Sequence, residues 1–189
     1  MDDSYGGLEA AARQFESSKV EGIELAGSLT ELQFNWRPRP EKWSIGQCLA
    51  HLSTTDHVLR AIDRAVTDAR SHGWLSPGPF RYGWFTRWMI GSMEPPPRRR
   101  MRTFAILMPP AGPLARDEVL RTFAASRDRL LERVEAARGL DLKRPIVVSP
   151  VNRLVRVPLG GYLAFLAAHD RRHLWQARQV REASGFGNS

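Results

Sequence analysis

A single cysteine, Cys48, is the whole thiol inventory of this chain. One thiol excludes an internal disulfide and suits a reducing compartment. Long apolar runs are missing too: none approaches the roughly 20 residues needed to span a bilayer. The N-terminal stretch MDDSYGGLEA is acidic, where a secretory signal would be basic and then apolar. These absences predict a soluble, cytoplasmic protein with no transmembrane segment. Lysine is scarce, with only Lys19, Lys42 and Lys143, so the formal charge of +8 is carried almost entirely by arginine. Those arginines are spread along the chain, and the one tight cluster is RRRMR at Arg98 to Arg102. Dispersed charge argues against a nucleic-acid or anionic-membrane module, which stays as the minor alternative. There is no P-loop, no GxGxxG, no Ser/His/Asp motif and no internal repeat.

What is present is helical periodicity. The 189 residues, 42% of them hydrophobic, are enough for one full core, and the chain reads as a single domain over residues 1–189. A first helix is predicted from about Leu8 to Leu32, weakened by Gly22 and Gly27. The prolines of RPRPEKW end it. A second opens at Ser44, with Gln47 three residues on completing a capping-box pattern. Its inward stripe is Ile45, Cys48 or Leu49, Leu52, Thr55 or Asp56, Leu59, Ile62 and Val66. A third spans about Asp117 to Arg138 and stops at Gly139, a natural helix terminator. The fourth spans about Pro158 to Glu182, and its stripe is Leu159, Tyr162, Leu163, Leu166, His169, His173, Ala177 and Val180. The prediction is an all-α four-helix bundle with a long crossover, about residues 71–114, between the second and third helices.

A connection of that length is commonly functional or packed as a cap. Within it, FRYGWFTRWMI predicts a short amphipathic helix, and Pro95 to Pro97 predict an extended polyproline stretch. Trp84, Phe85, Trp88 and Met89 are expected to close the core or to line an apolar mouth. The arginine run reads as a solvated loop, or as a lid whose guanidinium groups hold an anionic substrate. IVVSP before the last helix reads as a short strand or extended loop.

The histidines carry the chemistry. His169 and His173 are four apart in FLAAHDRRHLWQ, so they share one helix face and can point at one ion. Two imidazoles leave a site incomplete, and a third ligand has to come from another element. His51 lies on the inward stripe of the second helix, whereas His57, six residues on, is rotated by about 240° and faces outward. His72 lies in the crossover.

FNWRPRPEKWSIGQCLAHL, followed far downstream by GYLAFLAAHDRRHLWQARQV, resembles the DinB/YfiT-like superfamily of metal-binding four-helix bundles. The likeness covers nearly the whole chain in order and spacing. It implies that Trp43, Ser44, Ile45, His51 and Leu52 form the element giving the first ligand, and that His169 and His173 give the other two. Three neutral imidazoles suit a divalent ion, Zn²⁺ or Ni²⁺ foremost and Fe²⁺ or Mn²⁺ next, with positions left for water or substrate. The resemblance further implies a metal-dependent hydrolase, or a transferase using a low-molecular-weight thiol cosubstrate, acting on a small-molecule substrate as a homodimer. A non-catalytic, stress-related metal- or ligand-binding protein is the competing expectation.

Helical spacing marks Gln176 and Tyr162, each seven residues from His169, as catalytic candidates: Gln176 to orient a bound water or line the mouth, Tyr162 to donate a hydrogen bond or pack. Thr55 lies one turn after His51 and can support it or bond back to its own helix. Asp170, turned about 100° from His169, is expected to face solvent. Cys48 is expected to be a small core residue.

Overall fold

The computed structural model describes residues 7–97 and 108–186, so the arginine run at Arg98 to Arg102 lies outside the described residues. Among the described residues the elements are α1 (Leu8–Ala26), α2 (Glu31–Asn35), α3 (Ile45–Ser53), α4 (Asp56–Ser71), α5 (Trp84–Met93), α6 (Arg116–Ala136), β1 (Ile146–Val148), β2 (Arg156–Pro158) and α7 (Leu159–Arg181). The all-α bundle is confirmed. Helices α1 and α3 each pack against both α6 and α7, α4 continues the α3 side, and α5 lies along α7. IVVSP forms the short strand β1, antiparallel to β2 with Val147 opposite Val157.

Two of the four predicted helices are divided. The first ends at Ala26, because Thr30 starts a new helix: its side chain accepts from Gln33 N while Gln33 returns a bond to Thr30 N. Gly22 is where α1 meets α6, since a Cβ there would lie 2.4 Å from the Phe123 ring. The second helix starts at Ser44 with the expected capping box and stops at Ser53. Hydroxyls cause the break. Ser53 Oγ donates to Leu49 O at 2.8 Å and Thr54 Oγ1 to Ala50 O at 3.4 Å, local bonds that compete with helix continuation. The third and fourth helices match their predicted spans to within a residue or two, and Gly139 takes the expected positive φ of 79°.

The core has two apolar layers. One gathers Phe15, Leu59, Ile62, Leu130, Val147 and Tyr162. The other gathers Leu25, Phe34, Leu49, Phe123, Leu174 and Val180. On α7 the last member of the first layer is Ala167 and the first member of the second is Leu174. The histidines fall in the gap between them.

Helix α7 is buried on almost every side, and this overturns the expected exposure of Asp170, which is 2% exposed, with Arg172 at 6%. Asp170 faces α6, where Arg127 bonds to it, whereas the Arg172 side of α7 is covered by α5, Arg172 donating to Ser92 O at 3.0 Å. Gly161 lets Thr86 approach, since a Cβ would sit 2.4 Å from Thr86 Cγ2, and Ile90 and Met93 pack on Ala164 and Ala168. Only that inward face of α5 closes the core. Trp84 and Trp88 are 79% and 63% exposed, contrary to the expected core-closing role, because Thr86, Met89 and Ile90 already occupy the buried face. The proline run bends, with a cis Pro95–Pro96 bond, rather than extending as polyproline. The described ends of the crossover meet the two histidine-bearing helices: Glu94 pairs with Arg171 on α7, and Gln47 of α3 donates to Pro110 O at 3.3 Å.

Candidate metal centre

His51 sits in the last turn of α3, and the capping box at Ser44 fixes where that helix begins and so which way His51 points. His169 and His173 stand one turn apart on α7. The three predicted ligands converge. His51 Nε2 lies 3.2 Å from His169 Nε2, and His173 Nε2 lies 3.1 Å from the same atom. All three nitrogens fall within 4.8 Å of one another. His57 is exposed beside Arg60, and His72 is exposed beside Asp68. Neither joins the group.

The two short contacts cannot both be hydrogen bonds. Each ring nitrogen of a neutral imidazole carries either one hydrogen or one lone pair. His169 Nε2 therefore donates once or accepts once, and its second close neighbour faces it with like polarity. A cation between the rings satisfies all three lone pairs together. Bonds of about 2.0–2.1 Å at tetrahedral or right angles place ligand nitrogens about 2.8–3.4 Å apart, a range that includes both short contacts. The residues fit a divalent ion.

The electrostatics agree. Burial lowers the His169 pKa to about 3, helped by the positive charge that His51, Arg127 and Arg172 would contribute. His173 is pushed well below its ordinary value, first by burial and then by His169 and His51. Neutral rings with free lone pairs are the form that binds metal.

Aromatic walls hold the rings. Trp43 stacks on His173 with centroids 5.5 Å apart and tilts against His51 at 5.0 Å, while Phe165 stacks on His169 at 6.2 Å. Gln176 is half-buried one turn beyond His173. Its Oε1 and His173 Nδ1 are both buried and neither completes a hydrogen bond, although the Gln176 side chain acts on the ring to favour its charged form. Tyr162 is placed further off. It stacks on Phe165 at 6.2 Å, one ring removed from His169, and burial raises its phenol pKa. Thr55 is buried at the N-cap of α4, its hydroxyl 3.5 Å from Ser53 O, so it serves the helix break. Cys48 is fully buried and its thiol is pushed up to about 12 by burial, in keeping with a core role.

A family model described as the DinB superfamily matches residues 14–177. The chain belongs to the DinB superfamily. No curated protein and no solved structure matches it. What this DinB-superfamily chain hid from sequence reading is the polar support behind the histidines. Arg127 is 1% exposed and bonds to Asp170 and to Leu52 O. A signal for it existed, since position 127 falls on the α6 stripe between Phe123 and Leu130, one turn after the first and three residues before the second. Of the two walls, Trp43 belongs to the motif element that carries His51, whereas Phe165 had no comparable signal, because aromatics beside a core helix are usually packing.

Proposed function

We propose that this DinB-superfamily chain is a metal-dependent enzyme that holds a divalent cation on Nε2 of His51, His169 and His173. The observation that carries the reading is the convergence of three imidazoles on one point, with two close contacts at 3.1 and 3.2 Å that hydrogen bonding cannot satisfy together. Three protein ligands leave coordination positions open, which is the mark of catalytic rather than structural sites. A divalent ion there supplies Lewis acidity, lowering the pKa of a coordinated water or thiol. That chemistry serves either hydrolysis or transfer of a low-molecular-weight thiol to a small-molecule substrate. Zn²⁺ or Ni²⁺ is the first expectation for the ion, and Fe²⁺ or Mn²⁺ the second.

The chain's own residues then divide the work. Trp43 and Phe165 fix the ring planes and exclude water from their flanks. Gln176 accepts from His173 Nδ1–H once its amide rotates, which sets the tautomer that leaves the Nε2 lone pair free. Tyr162, with its phenol proton held by burial, packs behind Phe165 and is not required for proton transfer.

The test is elemental analysis of protein purified without chelator or histidine tag, with wild type beside His51→Ala, His169→Ala and His173→Ala. One ion per wild-type chain and loss in each variant supports the reading. Turnover of ester, amide or thiol-dependent substrates by metal-loaded wild type then separates an enzyme from a binding protein. Wild type that takes up no divalent ion overturns the proposal.

A further inference from the structure

Behind the histidines lies an ion pair that the proposed chemistry does not use. Arg127 of α6 and Asp170 of α7 are 1% and 3% exposed in their side chains and bond to each other. The same guanidinium reaches a third helix: its Nη2 donates to Leu52 O of α3 at 2.6 Å. Phe123 lies under it, with the guanidinium carbon 5.1 Å from the ring centroid.

The attachment points matter. Leu52 follows His51 directly, and Asp170 follows His169 directly. Leu52 O is one of the last carbonyls of α3, which the helix itself leaves unpaired. A buried carbonyl without a partner costs about 1–3 kcal/mol, so the chain has to meet it with a donor. Arg127 is that donor, and its positive charge also suits a helix C-terminus. One planar, forked group therefore joins the residue after one histidine to the residue after another, adding a directional tie to two helices otherwise held by apolar packing.

We propose that Arg127 is the positioning residue of the three-histidine site, holding the end of α3 against α7 so that His51 and His169 meet. Its consequence for metal rests on the reading above; its geometry does not. The pair is a poor way to gain stability alone, because apolar residues of similar volume often replace a buried ion pair at no loss. What an apolar pair cannot do is hold Leu52 O.

The experiment uses the full chain carrying Arg127→Met, or Arg127→Met with Asp170→Leu, beside wild type and Leu130→Ala. Leu130→Ala is a control destabilised away from the histidines. Each is stripped of metal, titrated with Co²⁺ alone, read by the ligand-field spectrum, and crystallised metal-free. The double variant is expected to unfold cooperatively like wild type, bind Co²⁺ about tenfold or more weakly, and show shifted ligand-field bands. Metal-free, its His51 Nε2 should leave the 3.2 Å contact with His169 Nε2. Leu130→Ala should keep the wild-type spectrum and affinity per folded molecule. A folded double variant with His51 unmoved and wild-type Co²⁺ affinity overturns the proposal. So does a double variant that cannot fold, which assigns the pair to stability alone. Wild type that takes no Co²⁺ sinks the metal reading, and the metal-free crystals still decide the role of Arg127.

Discussion

The two apolar layers and the polar layer between them are built on opposite rules. Phe15, Leu59, Ile62 and Leu130 on one side, and Leu49, Phe123, Leu174 and Val180 on the other, are interchangeable in kind: many neighbours share the work of excluding water. Between them Ser18, His51, Arg127, Asp170 and His173 are all buried and polar. Each needs a particular partner at a particular distance, because an unmatched buried polar group costs free energy that packing does not return. Apolar layers set how stable the bundle is. The polar layer sets how its helices are aligned.

Mutations can break that contrast. The largest effects should come from Phe123→Ala in an apolar layer and Asp170→Ala in the polar one, each losing about 3–5 kcal/mol. Chemical denaturation should give the same loss for Phe123→Ala with or without zinc. Asp170→Ala, by contrast, strands a buried guanidinium and should also lower metal occupancy. A next, smaller effect is expected from His173→Ala. With free zinc at about 100 times the wild-type Kd it should forfeit about 2.7 kcal/mol of stabilisation, and without metal much less. Equal losses in both conditions would mean that His173 is only a core residue.

Smaller still is Ser44→Ala, which removes the cap of the helix bearing His51 and should cost about 1 kcal/mol. At neutral pH the smallest effect concerns Cys48, in the second apolar layer. With its thiol pushed up to about 12, a disulfide reagent at pH 8 should leave it untouched until the chain unfolds. The unfolded chain releases this proton above about pH 9, while the native thiol keeps it until about pH 12. Stability should therefore fall with rising pH across that window, and Cys48→Ala should flatten the fall. Rapid native labelling would show that this layer is open to solvent.

The same contrast explains what the sequence revealed. Apolar stripes have a period, so the helices around Ile45, Phe123 and Leu163 were legible, as was the His169–His173 pair that lies on one of them. The third histidine of the group was legible because His51 shares a predicted face with Cys48, Thr55 and Ile62. The polar layer was less so. Asp170 was expected in solvent because it is turned about 100° from His169, but α1 and α3 both pack on α7 and Arg127 of α6 meets its carboxylate. The break after Ser53 escaped notice because the apolar stripe runs through it unchanged, while the interruption is made by hydroxyls bonding to backbone. Trp84 and Trp88 were expected to be buried because aromatics usually are. Which face of a short helix docks is settled by its partner, here the small residues Gly161, Ala164 and Ala168.

His51 and His169, in contact through their ring nitrogens, are 118 residues apart in the chain. A ribosome adding about 5–20 residues per second makes them about 6–24 s apart. During that interval the WSIGQCLAHL helix waits with one ligand exposed, and the two that complete the site arrive together on a single turn of α7. An ion cannot nucleate this fold as it does a zinc finger, whose ligands are near neighbours in sequence. On the proposed reading the complete three-histidine site exists only once α7 has been made, so an ion held by all three rings joins a chain whose other helices are already synthesised.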